Sequence, residues 1–537
     1  MSAVNQDAKD VAGALGRLFS VPDGAIERGL RDLFVERLDF ERESGAVALN
    51  EQGLPGSAFR IAGQQGVHVL MLQLTDEHQV AAAKVRAALR AIRGQLGGDV
   101  LLAVTDGQRS QWHFVYPGEQ GGRETLRRMV LHRGQPHRTV AEQLAGLYRG
   151  APTDLRAALE QAYNVEAVTK NFFRTYKAIF DRVMDLMQSG LPDDAERKPF
   201  CQMLFNRLMF LYFLQRKGWM TFGGSEQYFE ALWADARRKN DGNFYDTRLR
   251  PLFFVALSHA RSTNDTRAIA ILQRKIGKVP FLNGGLFEEG ELDRRPGVTV
   301  PDEAIRLILQ ELFAKFNFTI AESTPYDVHV AVDPEMLGKV FEELVTGRHD
   351  TGAYYTPRPI VAFMCREALK GYLTAAVPQL TAEQASSFVD EYRVNDLTIP
   401  LAEGILAALK VVTTVDPACG SGAYLLGMMQ ELLELQRLLY NSALIQDAAE
   451  LYDLKLQIIE RNLYGVDKDE TAVGIAMLRL WLSLVIDYNG PGDPPPLPNL
   501  TFKILQGDSL LAPEPTSDLL PNMFRALSGR AAKVRRI

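Results

Sequence analysis

Asp416, Gly420 and Gly422 stand close together in the stretch VDPACGSGAYLL, Val415 to Leu426. An acid ahead of two glycines suits a small ligand that brings hydrogen-bond donors to the backbone. The carboxylate accepts from those donors. The glycines let the chain turn tightly and leave no Cβ in the ligand's way. A helix that starts directly after the turn adds free N–H groups and the positive end of its dipole, which favours an anionic or carboxylate-bearing group.

Three ligand classes compete for such a turn. A mononucleotide phosphate loop ends in Gly-Lys-Ser/Thr, and CGSGAYLL has no lysine. A dinucleotide turn needs a third glycine where Leu425 stands, so that reading is weak. S-adenosylmethionine has no pyrophosphate and needs fewer donors, and it remains. Two further acids support it. Asp467 ends NLYGVD, placed to accept from ribose hydroxyls. Asp508 follows ILQG, placed to accept from an adenine amino group. Any one of these acids alone reads equally well as a helix cap. Three acids at successive strand ends, behind a glycine turn, favour the ligand.

The elements that must position these residues follow from periodicity. LKVVTTVD (409–416), NLYGVD and LTFKILQGDSLL read as strands. AYLLGMMQELLELQRLLY and ETAVGIAMLRLWLSLVI read as helices between them. Strand-helix-strand-helix-strand predicts a parallel, Rossmann-like sheet. The interval from Asp416 to Asp467 exceeds the ~20 residues of a dinucleotide fold, and NSALIQDAAELYDLKLQIIER fills it as an extra helix. Residues 1–150 read as a small α/β domain. GVHVLMLQLT and DVLLAVTDG are its strands, AAAKVRAALRAIRG is a helix between them, and QWHFVYP is a candidate further strand. Residues 151–345 read as helical, with long amphipathic runs such as VTKNFFRTYKAIFDRVMDLMQSG and FCQMLFNRLMFLYFLQRKGWM. Residues 346–537 return to α/β.

The bulk numbers exclude several classes. A chain of 537 residues is long enough for about three domains. A net charge of −6 excludes a uniformly basic nucleic-acid coat, so contact with DNA requires local patches. The three cysteines, Cys201, Cys365 and Cys419, offer no disulfide framework and no cysteine-rich zinc site. The start has no signal-peptide pattern and no apolar run approaches a membrane span, so a cytoplasmic protein is expected.

At this point TVDPACGSGAYLL resembles the cofactor motif of bacterial adenine-N6 DNA methyltransferases. It is most similar to those of large restriction-modification fusions and related phage-defence methylases. TGAYYTPRPIVAFMCREAL (351–369) resembles that family's other cofactor segment, which precedes the glycine turn in the gamma order. FNRLMFLYFLQRKGWM, PFLNGGLFE and LGKVFEELV resemble segments upstream of the methylase core, so the likeness covers about residues 165 to 510. The resemblance implies that Tyr355, Thr356 and Pro357 lie against the methionine end of the cofactor. It implies that Asp416, Ala418, Gly420 and Gly422 line its amino-acid and ribose side, with Asp467 on the ribose and Asp508 on the adenine. Double-stranded DNA is the implied substrate. No metal is implied for the methyl transfer.

The family also holds its extruded base with an Asn-Pro-Pro-Tyr segment, expected a few tens of residues after QGDSLL. That segment is absent here. DPPPLP (493–498) precedes the third strand and lacks the aromatic, so it reads as a loop. The expectation is therefore the front part of a methyltransferase, with no catalytic residues assigned. A second polypeptide is expected to complete the sheet and the target-recognition domain. The competing reading is a non-catalytic module that binds cofactor or DNA in a defence complex. A small-molecule or protein methyltransferase is disfavoured by the helical region and the gamma order.

Related fusions often carry an N-terminal nuclease, which needs an acid and then Glu-x-Lys on neighbouring strands to hold a metal. VHVLMLQLT has Gln73 but neither Glu nor Lys, so a degenerate nuclease-like module is expected. Asp39, Glu41 and Glu43 read as a solvated charged run. His68, His113, His132 and His137 are not spaced as metal ligands and read as surface or core residues.

Overall fold

The computed structural model describes residues 2–22, 25–50, 54–74, 80–120, 123–134, 137–148, 154–258, 266–282, 285–319, 327–332, 356–442, 444–445, 450–488, 490 and 494–511. The chain is mixed α/β with two separate sheets.

The first sheet has eight strands: β1 (Glu41–Arg42), β2 (Ala46–Ala48), β3 (Ser57–Gln64), β4 (Val67–Leu74), β5 (Asp99–Asp106), β6 (Gln111–Gln120), β7 (Arg123–His132) and β8 (Asp327–His329). The order is β1-β3-β4-β5-β6-β7-β8, with β2 also paired to β3. Only the β4–β5 and β7–β8 pairs are parallel. β4 and β5 are near-continuous apolar runs because both their faces are covered. Val69 and Leu101 pack against α1 (Ser2–Arg17) and α2 (Ile26–Arg31) on one face. Leu70 and Leu102 pack against α3 (Ala82–Arg93) on the other, following the two-residue period of a strand. α4 (Arg138–Ala145) and α5 (Leu155–Ala162) join the first face. The sheet recruits β8 from far along the chain, so its core reaches beyond the N-terminal segment to Val330.

The middle of the chain is helical: α6 (Val165–Met187), α7 (Asp194–Arg216), α8 (Tyr228–Lys239), α9 (Thr266–Ile276), α10 (Glu291–Arg294) and α11 (Asp302–Arg306). α7 is buried on all sides, as its aromatic density implies. Its Arg207 makes a two-pronged pair with Asp293 at 3.0 Å and also donates to the carbonyls of Leu286 and Glu288.

The last region contains α12 (Arg358–Ala376), α13 (Ala382–Glu391), α14 (Ile399–Val411), β9 (Thr414–Asp416), α15 (Ala423–Tyr440), α16 (Leu451–Arg461), β10 (Leu463–Asp467), α17 (Glu470–Asp487) and β11 (Ile504–Gln506). The strands form the expected parallel sheet, in the order β11-β10-β9. α16 is the extra helix foreseen between the first two strands. One expectation is corrected. Within 409–416 only Thr414–Asp416 is strand, and Leu409–Val411 completes α14. Pro400 in the first turn starts that helix, and Leu401, Ile405, Leu406 and Leu409 bury one helical face. That burial outweighs the strand preference of the two valines that follow. One continuous apolar core runs from Phe172 in α6 to Ile504 in β11, so the helices and this sheet are packed together. No described helix is long and apolar enough to cross a membrane.

Candidate ligand-binding turn

All three candidate acids lie at the carboxyl ends of the parallel strands. They are stepped rather than level: Asp416 is opposite Gly465, and Asp467 is opposite Gln506, two residues before Asp508. Each step of two residues is about 6.6 Å, so the acids form a line of acceptors suited to an elongated ligand.

The turn is built from glycine conformations. Gly420 and Gly422 have φ of +52° and +83°. A Cβ on Gly420 would meet nothing within 4 Å, so that side of the turn is open. A Cβ on Gly422 would lie 3.0 Å from the Cβ of Ala476, so α17 presses directly on this glycine. Asp467 holds the turn. Its Oδ2 accepts from the Gly420 N–H at 2.8 Å and its Oδ1 from the Asp469 N–H at 2.9 Å. The helix cap is a different residue: Asp469 accepts from the N–H of Thr471 at 2.7 Å. Asp467 therefore keeps lone pairs beyond its structural bonds.

Asp416 has one satisfied oxygen and one that is not. Its Oδ1 accepts from the Ala418 N–H at 3.1 Å, while its Oδ2 is buried without a hydrogen-bond partner. Burial raises the carboxyl above its ordinary range. The Ala418 N–H opposes that rise and the charge of Asp467 adds to it. A donor on a ligand would relieve this oxygen. Gly422 offers no side-chain cap to α15, so the first N–H groups of that helix face the same region.

Asp508 accepts from the Leu510 N–H at 3.0 Å and lies 3.7 Å from Lys468 Nζ. The Ser509 hydroxyl donates to the Pro417 carbonyl at 2.6 Å, which folds the turn after β11 onto the start of the glycine turn. Asp416, Ala418, Gly420, Gly422, Asp467 and the Asp508 segment are thus brought together. Pro357 precedes α12, and its carbonyl accepts from the Ile360 and Val361 N–H groups. Thr356 stands just before it, and Tyr355 lies outside the described residues. α12 packs against α15: the Tyr424 hydroxyl reaches Met364 Sδ at 3.0 Å, and Arg366 reaches Glu431 at 3.1 Å. The Cys365 thiol is pushed up to about 12 by burial, with the charges of Glu431 and Asp416 adding to it. α12 is therefore within electrostatic reach of the site.

Sequence reasoning missed two residues that shape the turn. Gly465 allows the close approach: a Cβ there would lie 2.9 Å from Leu425 Cδ1 and 2.9 Å from Cys419 Sγ. The glycine that a dinucleotide fold puts on the helix is here replaced by Leu425, and the space is given by a glycine on the strand. The second is Arg479, a lone charge within an apolar helical run, which bonds to Ser421.

In the first sheet, Gln73 lies opposite Thr105. Glu43 is not simply solvated, because it is part-buried against His68 Nδ1 at 2.8 Å. His113 is buried. Among the described residues, no three His, Cys, Asp or Glu side chains gather as a metal site.

No protein-family profile matches the chain. A curated protein of Methanocaldococcus jannaschii, provisionally described as a type II restriction enzyme and methyltransferase, is 29% identical over 346 residues. The match takes in 59% of this chain and 28% of that protein, so this chain spans little more than a quarter of its relative's length. Among solved structures, the type IIL restriction-modification enzyme MmeI in complex with DNA aligns at 17% identity and a TM-score of 0.41, over 64% of this chain and 40% of that one. The DrdV–DNA complex aligns at 14% identity and a TM-score of 0.25, over 94% of this chain and 40% of that one. Neither structural likeness is close enough to establish a shared fold.

Proposed function

We propose that this chain carries the S-adenosylmethionine-binding part of an adenine-N6 DNA methyltransferase belonging to a restriction-modification or phage-defence system. The observation that carries this reading is the buried, partnerless Oδ2 of Asp416 beside an open glycine turn at the carboxyl edge of a parallel sheet. The similarity to the archaeal restriction enzyme and methyltransferase supports the class of system.

The residues present suit this cofactor. Asp416 would accept from its amino group, and the N-terminus of α15 would face its carboxylate. The spare lone pairs of Asp467 would take ribose hydroxyls, and Asp508 would take the adenine amino group. Thr356 and Pro357, with Tyr355, would border the methionine end. The bound cofactor would supply an electrophilic methyl group. The part of this chain is to bind and orient it, and positioning is a large share of what such a transfer requires.

DNA adenine must be extruded before its amine can react, and the Asn-Pro-Pro-Tyr segment that would hold it is not in this sequence. A second polypeptide would then supply the base pocket and the target recognition. The missing segment also favours the alternative, a cofactor- or DNA-binding module without catalysis of its own.

Two measurements on the purified full chain test the reading: calorimetric titration with S-adenosylmethionine, then transfer of tritiated methyl to unmethylated bacterial DNA. Binding without transfer is expected. Incorporation would show that unrecognised residues supply a base pocket. Absence of binding would remove the cofactor assignment itself.

A further inference from the structure

Arg479 sits in the middle of the apolar helix α17 and is 5% exposed. Removing a guanidinium from water is costly, and an unbranched apolar side chain would fill similar volume without that cost. The charge must therefore do something that packing does not. Its Nη1 donates to the Ser421 carbonyl at 2.7 Å and to the Ser421 hydroxyl at 3.2 Å. One turn earlier on α17, Ala476 presses on Gly422. The same peptide is held at its other end, where the Gly422 N–H donates to the Cys419 carbonyl at 2.8 Å. The Ser421–Gly422 peptide is thus fixed at both its oxygen and its nitrogen. It is also the joint between the turn and α15, because Gly422 is the residue that caps that helix.

We propose that Arg479 is a positioning residue for the cofactor: it locks the Ser421–Gly422 peptide so that the open side of Gly420 and the N-terminus of α15 face the ligand together. This rests on the cofactor reading above. The β10 side of the turn is anchored separately, by Asp467 on the Gly420 N–H and by the Val466 carbonyl on the Cys419 N–H. Loss of Arg479 should therefore release only the helix side of the turn.

The test compares the full chain with Arg479→Met, Arg479→Lys and Ser421→Ala by amide hydrogen exchange and by titration with S-adenosylmethionine. In Arg479→Met, exchange of the amides around residues 420–424 should rise about tenfold while the core of α17 stays protected. The dissociation constant should rise about tenfold as well, the loss expected for a buried charged hydrogen bond. Arg479→Lys should fall in between, because an ammonium lacks the planar fork. Ser421→Ala should change affinity by less than about threefold, because the carbonyl contact remains. Unchanged exchange and affinity in Arg479→Met would overturn the proposal. So would a uniform rise across turn and helix, which marks a merely structural role. If Arg479→Met does not fold, Arg479→Lys decides by the same two readouts. If the parent chain binds no S-adenosylmethionine, the cofactor reading fails, and exchange in the ligand-free protein still decides whether the clamp exists.

Discussion

The two oxygens of Asp416 separate what the turn needs for folding from what it keeps for a ligand. Oδ1 serves the fold by accepting from Ala418, and Oδ2 is buried without a partner. Burial raises this carboxyl, and the nearby Asp467 adds to the rise. For an acid, a raised folded-state pKa means that the ionised form costs stability. That cost is absent below the unfolded value, grows as pH rises through the window up to the folded value, and is present in full at neutral pH. Asp416→Asn keeps an acceptor for Ala418 and removes the buried charge. The ligand-free variant should melt at or above the parent's temperature at pH 7. Its affinity for S-adenosylmethionine should fall about tenfold or more, because a charge-assisted bond to the amino group is lost. Thermal melting and titration on the same preparation check both. Parent-like affinity would remove Asp416 from the site, and a large fall in melting temperature would make it a structural cap. Gly420→Val is a less clean probe, since φ of +52° strains any side chain there and mixes folding with binding.

At the scale of elements, the seam between β6, β7 and β8 carries a pH dependence. His113 on β6 meets His329 on β8 at a ring distance of 6.4 Å, and the guanidinium of Arg128 on β7 lies against His113 Nδ1 at 3.4 Å. Nδ1 must then be the acceptor, which leaves Nε2–H to donate to Gln111 at 3.1 Å. Burial lowers His113 well below its ordinary value, with Arg128 the next cause. Burial and Arg128 lower His329 to about 4, and burial and Arg216 lower His132 to about 3. The unfolded chain takes up protons below about pH 6.5, while the folded seam does not until pH falls to about 4 or below. Stability should therefore fall as pH drops through that window, by at most about 1.4 kcal/mol per pH unit for each histidine. Denaturant unfolding between pH 4.5 and 6 should give a shallower pH slope for His329→Gln than for the parent, and an identical slope would refute the argument. These strands also show what a sequence reveals and what it hides. β4 and β5 were legible because burial on both faces makes them continuously apolar. β7 was not, because RETLRRMVLH looks polar until Arg128 is seen donating to the Val80 carbonyl inside the sheet. β8 has three residues, and nothing local announces that they join a sheet built from the start of the chain. At the ligand turn, the acids and glycines were legible from residue type. The spacing role of Gly465 and the reach of Arg479 depend on contacts between elements that no local pattern records.

At the scale of the whole molecule, the small parallel sheet is covered on one face only. Leu463, Gly465 and Ile504 point toward the helices and are buried. On the other face, Val415 lies beside Tyr464, and Leu505 beside Val466. Val415 is 60% exposed and Leu505 45%, and nearby Phe502 is 66% exposed. Among the described residues, β9 pairs only with β10, so its other edge is open. Parallel strands are joined by right-handed crossovers, and stepping from β9 to β10 to β11 keeps the connecting helices on one face. A further parallel strand on the open edge of β9 would reverse the direction of travel, and its helix would then cross the bare face. The point of reversal is where an open α/β sheet binds its ligand, and Asp416 stands there. The apolar face, the unpaired edge and the position of the site thus call for one and the same addition, a strand beside β9 with a helix over Val415 and Leu505. Without it, the purified chain should bind an apolar dye and self-associate at micromolar concentration through that face. Val415→Lys combined with Leu505→Lys should reduce both effects, while melting temperature and S-adenosylmethionine affinity stay within about twofold-equivalent limits, ~0.4 kcal/mol, because exposed side chains away from the turn contribute little. A parent chain that is monomeric by sedimentation and silent toward the dye would show that this face is already covered, and the requirement for a completing partner would fall with it.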